Sequence, residues 1–194
     1  EELAEKQLFL LDVREASEIE TAGYIKGSVN IPVRDVFKNL DKLPALDQPI
    51  VVYCASGHRG AFVFAALRML GYTDVRNIAG GLGAWTKAEL AVETGLPEAP
   101  VAGTAPEVDA GLLAALDEYF SALPEGFYAV KSDKLNEELA DKAPFLLDVR
   151  RTQEFAENGR IEGAYNVTVE ELMSNLDLLP AKDTPMVVYC VSGH

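Results

Sequence analysis

The chain has 194 residues, of which 48% are hydrophobic and 25% are charged, and its formal net charge is −14. This composition is typical of a globular protein with one or two domains. The acidic balance argues against general nucleic-acid binding, which needs clustered cations on the phosphates. No apolar run approaches the roughly 18 residues of a membrane span, and residues 1–6 lack the basic and apolar stretches of a signal peptide.

Short apolar runs and helix-like segments alternate along the first half of the chain. Apolar runs rich in β-branched residues predict strands, which are expected at residues 9–13, 50–53 and 75–78. Helical spacing predicts helices, which are expected at residues 16–21, 33–40 (as one or two short pieces), 60–70 and 84–90. This alternation predicts an α/β fold in which a parallel sheet carries helices on both faces. Ligands of such sheets bind beyond the carboxyl ends of the strands.

A segment rich in proline and small residues follows, and it predicts a linker over residues 96–106. Asp109 then suits the N-cap of a helix that runs to about Leu123. The apolar residues of this helix form one stripe, which we expect to dock on a domain surface. Beyond the helix, residues 127–130 predict a strand and residues 132–140 predict a further helix.

One loop sequence occurs twice, and it contains the only two cysteines and the only two histidines of the chain. Residues 51–59, VVYCASGHR, return as residues 187–194, VVYCVSGH. Other stretches match at the same spacing without a gap, so we infer two homologous units. We predict a first domain at residues 1–95, a Pro-rich linker with its helix at 96–126, and a second domain at 127–194.

The two predicted domains differ in what the sequence supplies. The first has no counterpart of the strand at residues 127–130, and the second stops just after its cysteine loop. A unit that lacks its last strand and helices buries less apolar surface. We therefore expect the second domain to be incomplete, or to be completed by another chain.

Cys54 ends an apolar strand and opens a turn into a helix, which is a favourable position for a nucleophile. The loop N–H groups and the positive end of the helix surround the sulfur, and Arg59 adds a full positive charge. Together these groups favour the thiolate, so we predict that Cys54 and Arg59 are catalytic. The other loop residues are predicted to bind the substrate anion; they are Ala55, Ser56, Gly57, His58 and Gly60.

The second cysteine loop starts in the same way, but no arginine or helix follows it in the sequence. It is a possible second site, with a thiol that we expect to be poorly activated, and it comprises Cys190, Val191, Ser192, Gly193 and His194. Equivalent positions in separate units argue against a disulfide between the two cysteines. Two reduced thiols suit a reducing compartment, so we expect a cytoplasmic protein, although catalytic thiols also occur in exported proteins.

Several motifs in a fixed order resemble the rhodanese-like (thiosulfate sulfurtransferase-like) family. They are LDVR at 11–14, GYIKGSVNIP at 23–32, the cysteine loop at 54–59, and Gly80-Gly81 followed by Trp85. The resemblance covers residues 1–95 and returns over residues 127–194. It implies the fold of that family, with one full repeat and a partial second one.

The resemblance also implies a mechanism of sulfur transfer. Cys54 would attack the outer sulfur of a small anion such as thiosulfate and become a persulfide. A thiol or cyanide acceptor would then remove that sulfur. The loop amides would stabilise the persulfide, and Arg59 would bind the donor's sulfonate or the leaving sulfite. The resemblance implies no metal and no organic cofactor, and it leaves any protein partner undefined.

Four alternatives stay open. A cysteine phosphatase of the Cdc25 type shares this fold, but it has five residues between cysteine and arginine, whereas four separate Cys54 from Arg59. A rhodanese-like module that binds or senses sulfur without turnover would carry the same loop. Cys54 could also be an inert buried thiol. Finally, a zinc site would need the two cysteines and two histidines of both loops to converge.

Three sets of residues outside the loop have structural interpretations. Asp12 and Arg14 are predicted to tie a strand end to a neighbouring loop by a charge-assisted contact. Gly80-Gly81 is expected to serve backbone geometry rather than phosphate binding. The acidic residues around the first predicted helix are expected to form a solvated face, and they are Glu15, Glu18 and Glu20.

Overall fold

The computed structural model describes residues 8–193, which fold as two units. The first unit extends to Tyr128, and the second begins at Ala129. Each unit contains its own parallel sheet with helices, which confirms the predicted α/β class. No helix within residues 8–193 is long and apolar enough to cross a membrane.

The sheet of the first unit consists of four short strands, which are β1 (Phe9–Asp12), β2 (Ser28–Asn30), β3 (Ile50–Tyr53) and β4 (Val75–Asn77). They are parallel and lie in the order β2–β1–β3–β4. The central strands β1 and β3 are covered on both faces, which explains why their sequences are continuously apolar rather than alternating. The carboxyl ends of β1 and β3 meet at one edge of the sheet.

The helices of the first unit are α1 (Ala16–Ala22), α2 (His58–Met69), α3 (Gly81–Lys87) and α4 (Ala110–Ser121). A 3₁₀ segment at Phe37–Lys42 stands where one or two short helices are predicted. Successive strand residues point to opposite faces. On one face Leu11 and Val52 pack with Leu67 of α2, and on the other Leu10 packs with Leu82 of α3. Helices therefore cover both faces, as predicted.

The predicted linker helix docks on the first unit as α4. The Asp109 carboxylate accepts the backbone N–H of Leu112 at 2.7 Å, which confirms the N-cap. Phe120 and Leu123 are buried in the core of the unit, and the Phe120 ring lies 4.5 Å from the ring of Phe37. Burial of this stripe explains why the segment after the Pro-rich linker belongs to the first unit.

Two helices begin earlier than the sequence predicts. α2 begins at His58 rather than Gly60, because Gly57 adopts a left-handed φ of 94° and turns the chain from the loop into the helix. α3 begins at Gly81 rather than Ala84, after Gly80 with a left-handed φ of 73°. The first turn of α2 therefore starts inside the predicted cysteine loop.

The strand predicted at residues 127–130 is wrong, because these residues form a turn and an irregular segment. Phe127 and Tyr128 have left-handed φ values of 53° and 59°, which strand residues do not adopt. The Phe127 ring packs on the guanidinium groups of Arg34 and Arg59. This tertiary contact overrides the β-propensity of the sequence.

The second unit repeats the first part of this plan. Its helices are α5 (Ser132–Asp141) and α6 (Thr152–Glu157), and α5 matches the predicted helix. Its strands are β5 (Phe145–Asp148), β6 (Tyr165–Asn166) and β7 (Met186–Tyr189), which pair in parallel in the order β6–β5–β7. Two 3₁₀ turns, Leu172–Ser174 and Leu176–Leu178, lie between β6 and β7. The described residues of this unit end at Gly193, in the loop that follows β7.

Candidate active site

Cys54 directly follows β3, at the carboxyl edge where parallel sheets bind ligands. Its side chain is buried, and its Sγ accepts the backbone N–H of Gly57 at 3.2 Å. Gly57 is the N-cap of α2, so the sulfur lies at the positive end of that helix. The structure thus brings together the thiol, the turn and the helix start, while Ala55 and Ser56 are exposed at the rim of the loop.

The start of α3 holds the cysteine loop in place. The N–H of Leu82 donates to the carbonyl oxygen of Cys54 at 2.8 Å, and the N–H of Gly83 donates to that of Ala55 at 2.9 Å. A Cβ atom on Gly81 would overlap the main chain of the loop. Gly81 therefore lets the backbone of α3 approach the backbone of the cysteine loop. This agrees with the predicted role of Gly80-Gly81 in backbone geometry.

The strand β4 supports the loop from another side. The Nδ2 of Asn77 donates to the carbonyl oxygen of Gly57 at 3.1 Å. A Cβ atom on Gly60 would overlap the side-chain oxygen of Asn77, so the first turn of α2 packs directly on this residue. Gly60 therefore has a packing role, because a side chain there would displace the Asn77 amide.

Arg59 lies in the first turn of α2, and Glu18 of α1 binds its guanidinium. Nη1 and Nη2 of Arg59 each donate to one carboxylate oxygen of Glu18, at 2.6 and 2.7 Å. Burial opposes the charged form of Arg59, but the bond to Glu18 raises its pKa, and the Cys54 sulfur acts in the same direction. The same bond lowers the pKa of Glu18, although partial burial opposes this. The guanidinium therefore stays charged beside both Cys54 and Glu18.

The ring of Phe127 covers Arg59, with the guanidinium carbon 5.1 Å from the ring centroid. Arg34 approaches the same ring at 4.8 Å, and its Nε donates to the carbonyl oxygen of Leu123 at 3.0 Å. The Nε2 of His58 donates to the carbonyl oxygen of Phe127 at 3.0 Å. Cation–π contacts and hydrogen bonds thus hold the segment after α4 beside the arginine.

The pair of Asp12 and Arg14 lies at the end of β1 and is fully buried. The Nε of Arg14 donates to the Asp12 carboxylate at 2.9 Å, and Nη2 donates to the carbonyl oxygen of Gly23 at 2.8 Å. The arginine therefore ties the strand end to the loop after α1. This contact confirms the structural interpretation of the pair.

The second cysteine loop has the same local turn. Cys190 follows β7, and its Sγ accepts the backbone N–H of Gly193 at 3.1 Å. Cys190 is half-buried, whereas Val191 and Ser192 are exposed. His194 lies outside the described residues, so its predicted place in this loop stays a prediction.

Metal ligands are not clustered in the part of the chain that the structure describes. Within residues 8–193, no group of three or more His, Cys, Asp and Glu side chains is close enough to hold a metal ion. The zinc alternative would also need His194, which lies outside that range.

The family model of the rhodanese-like domain matches residues 1–88 and 131–194 of this chain. The chain belongs to the rhodanese-like domain family. Both cysteine loops of this rhodanese-like chain lie within the matched ranges.

Two sulfurtransferases are among the proteins that this chain resembles. Human thiosulfate:glutathione sulfurtransferase is 35% identical over 100 residues, which cover 45% of this chain and 86% of that protein. A sulfurtransferase of Allochromatium vinosum is 31% identical over 87 residues, which cover 45% of this chain and 79% of that protein. The solved thiosulfate sulfurtransferase of Pseudomonas aeruginosa aligns with a TM-score of 0.47 and 20% identity, covering 98% of this chain and 36% of that chain.

Glu18 is a part of the rhodanese-like site that the sequence interpretation missed. The prediction of a solvated acidic face is wrong for Glu18, which binds Arg59. Glu15 binds Arg34 at 3.1 Å, but 43% of its side chain is exposed. Glu20 is exposed, as predicted. The spacing of Glu15 and Glu18 at a helix start is that of a capping box, and the N–H of Glu15 does donate to Glu18 at 3.0 Å. This capping-box spacing is the sequence signal for the position of Glu18, because it turns the Glu18 side chain back toward the start of the helix.

Proposed function

We propose that this rhodanese-like protein is a sulfurtransferase that moves sulfane sulfur through a persulfide on Cys54. The donor is a small sulfur-containing anion such as thiosulfate, and the acceptor is a thiol or, in an assay, cyanide. One observation carries the proposal: the buried Sγ of Cys54 accepts the N–H of Gly57 at the start of α2, beside the charged Arg59. Membership of the family and the sulfurtransferase names of the relatives support the same chemistry.

In the first half-reaction, the Cys54 thiolate attacks the outer sulfur of thiosulfate. The S–S bond of the donor breaks, sulfite leaves with the electron pair of that bond, and a new S–S bond forms on Cys54. The outer sulfur of the resulting persulfide carries a negative charge. The N–H of Gly57 and the positive end of α2 are placed to stabilise that charge without reorganising.

In the second half-reaction, the acceptor attacks the outer sulfur of the persulfide. The S–S bond to Cys54 breaks, and its electron pair returns to Sγ as the thiolate. Cyanide leaves as thiocyanate, and a thiolate leaves as an organic persulfide. The cysteine is restored, so neither half-reaction needs an external oxidant or reductant.

Arg59 has a double role in this scheme. A guanidinium carries five N–H groups, and the two bonds to Glu18 use one on each Nη atom. The remaining N–H groups can meet the donor's sulfonate and the leaving sulfite. Glu18 meanwhile fixes the plane of the guanidinium beside Cys54, so binding the donor costs little side-chain entropy.

Intact-mass spectrometry after incubation with thiosulfate tests the proposal. The wild-type chain should gain one sulfur atom at Cys54, and cyanide should then remove it with release of thiocyanate. Cys54→Ser should gain no sulfur at this position, and Cys190→Ser separates the two thiols because it should still gain one. A wild-type chain that stays unmodified and turns over no donor contradicts the proposal and favours a binding module. Turnover of a phosphate ester without any sulfur gain would favour the phosphatase.

A further inference from the structure

Two cavities of similar size open in the first unit, and Glu18 belongs to the walls of both. We call them the Ala55 cavity, of about 640 Å³, and the Arg59 cavity, of about 610 Å³, after the loop residue that lines each. Protein pockets for small organic ligands usually enclose about 300–1,000 Å³. Each cavity can therefore hold a small organic molecule, and both adjoin the cysteine loop.

The two cavities differ in chemistry. The Arg59 cavity is polar, and its wall carries the cations Arg34, Lys38 and Arg59 among acidic residues. The Ala55 cavity is mostly apolar, and its wall includes Ala22, Ala55, Leu82, Thr21 and Thr86. An anionic donor therefore suits the Arg59 cavity, whereas an apolar body suits the Ala55 cavity.

Both charged groups of the Ala55 cavity are already engaged within the protein. The Arg14 guanidinium binds the Asp12 carboxylate and the carbonyl oxygen of Gly23. The Glu18 carboxylate binds Arg59 at 2.6 and 2.7 Å. The wall of this cavity therefore offers a ligand carboxylate no cation outside an existing ion pair, and such a carboxylate would lie near the negative charge of Glu18.

The Ala55 cavity also has a fixed position relative to Cys54. Its wall includes Leu82 and Gly83, whose N–H groups hold the carbonyl oxygens of Cys54 and Ala55 at 2.8 and 2.9 Å. A ligand in this cavity is thus held by the same turn of α3 that holds the nucleophile loop. Such rigid support is what a transfer step requires, because a small displacement of the reacting groups slows the reaction.

We propose that the Ala55 cavity is the acceptor subsite and that it binds small organic thiols with an apolar body and no carboxylate. This inference rests on the proposed function. The bound thiolate attacks the outer sulfur of the Cys54 persulfide and forms an organic persulfide, while the bond pair of the broken S–S bond returns to Sγ. The thiol proton is lost to water before the attack. The donor binds in the Arg59 cavity, which shares Glu18 with the Ala55 cavity, so the two half-reactions use different subsites.

A cavity-filling variant tests this subsite. Ala22→Phe places a ring in the Ala55 cavity, and Ala16→Phe is the matched control, because Ala16 is also an exposed alanine of α1 but lines neither cavity. The persulfide is preloaded with thiosulfate and discharged with phenylmethanethiol or with cyanide. Ala22→Phe should lower kcat/KM for phenylmethanethiol about tenfold, a usual size for the loss of a hydrophobic pocket contact, and leave discharge to cyanide unchanged. Ala16→Phe should match the wild type with both acceptors.

Charge selectivity gives the second measurement. Wild-type protein should prefer 3-mercaptopropionamide to 3-mercaptopropionate, compared at equal thiolate concentration, because the two thiols differ chiefly in the carboxylate. Equal use of this pair, or normal use of phenylmethanethiol by Ala22→Phe, overturns the subsite while leaving the sulfurtransferase intact. A wild-type chain that forms no persulfide overturns the proposed function as well. If Ala22→Phe fails to load sulfur, Thr86→Phe gives the same comparison, because Thr86 also lines the cavity and lies on α3.

Discussion

The two cysteine loops are nearly identical in sequence, yet the structure encloses them to very different degrees. Both sulfur atoms accept a glycine N–H three residues later, at 3.2 Å in the first unit and 3.1 Å in the second. The strands before them differ, because Val52 is fully buried whereas Val188 is 51% exposed. The neighbouring strands β1 and β5 do not differ in this way, since Leu11 and Leu147 are 0% and 1% exposed.

The contrast separates local geometry from enclosure. A short turn with glycine sets the contact between amide and sulfur, so the sequence of the loop suffices for it. Enclosure of β3 depends on β4, which pairs with it, and on α2, which packs on it. Among the residues described in the second unit, β7 pairs with β5 alone. The enclosure of the Cys54 sulfur therefore comes from α2 and β4 and not from the loop sequence alone.

Loss of the buried ion pair between Asp12 and Arg14 should give the largest effect, which is on stability. Asp12→Ala leaves the Arg14 charge buried without its carboxylate, and loss of one partner of a buried ion pair usually costs about 3–5 kcal/mol of unfolding free energy. Trp85 is the only tryptophan of the chain and lies in the first unit. Urea unfolding followed by its fluorescence should therefore show a midpoint well below that of the wild type.

Asp148→Ala is the matched control for Asp12→Ala, because Asp148 and Arg150 form the same bonds in the second unit. The Trp85 transition should stay where it is in that variant. Asp12→Asn should fall between wild type and Asp12→Ala, since an amide still accepts one hydrogen bond from Arg14. Equal shifts of the Trp85 transition in Asp12→Ala and Asp148→Ala would contradict a local stabilising role of the Asp12–Arg14 pair in the first unit.

The next effect concerns the support of the Cys54 loop by α3. Gly81→Ala combines a left-handed φ of 56° with a Cβ atom that would overlap the loop main chain. Because displacement of a reacting group by about 1 Å can cost 10²-fold, we expect kcat/KM for thiosulfate to fall about 100-fold. Steady-state assays with thiosulfate and cyanide measure this loss.

Gly95→Ala separates the effect of backbone strain from the effect of steric overlap with the loop. Gly95 also has a left-handed φ, of 86°, but a Cβ atom there meets nothing within 4 Å. This variant should lose some stability and keep its activity. If Gly95→Ala and Gly81→Ala lose activity equally, backbone strain alone explains the result and the proposed support by α3 is wrong.

The sequence predicts those parts of the molecule that are determined by residues close together in the sequence. The strand before Cys54 and the N-cap at Asp109 follow from periodicity and capping preferences within a few residues. The contact of Asp12 with Arg14 spans two residues, so it could be predicted from the same stretch of sequence. The match between the two units also follows directly from the sequence, because all matched residues of the two repeats are separated by the same number of positions.

The parts that the sequence did not predict depend on contacts between distant segments. The sequence predicts a strand at Phe127, but the carbonyl oxygen of Phe127 accepts a hydrogen bond from the Nε2 of His58 across 69 residues, and its ring lies on Arg59. Nothing in the sequence around Phe127 indicates an arginine as its partner. The bond from Arg59 to Glu18 spans 41 residues and likewise depends on how α1 and α2 pack. Local propensity carries no information about such partners.

The smallest expected effect concerns the carboxylate that neutralises Arg59. Glu18→Gln keeps an acceptor for the N–H of Glu15 but removes the charge, so the dianion thiosulfate should bind more tightly. Two unit charges about 4 Å apart interact by about 1 kcal/mol in a water-like dielectric, so we expect KM to fall about fivefold. Glu154→Gln makes the same change where Glu154 accepts the N–H of Arg151, and KM should not change.

The acid limit of this effect follows from the pKa of Glu18. The bond to Arg59 lowers that pKa below its ordinary value of 4.5. The carboxylate therefore stays charged as the pH falls to 4.5, and its charge is lost only as the pH falls through the lowered pKa. The KM difference between wild type and Glu18→Gln should persist at pH 4.5 and shrink below it. A KM that is unchanged by Glu18→Gln at neutral pH would contradict a net repulsion of thiosulfate by the Glu18 carboxylate.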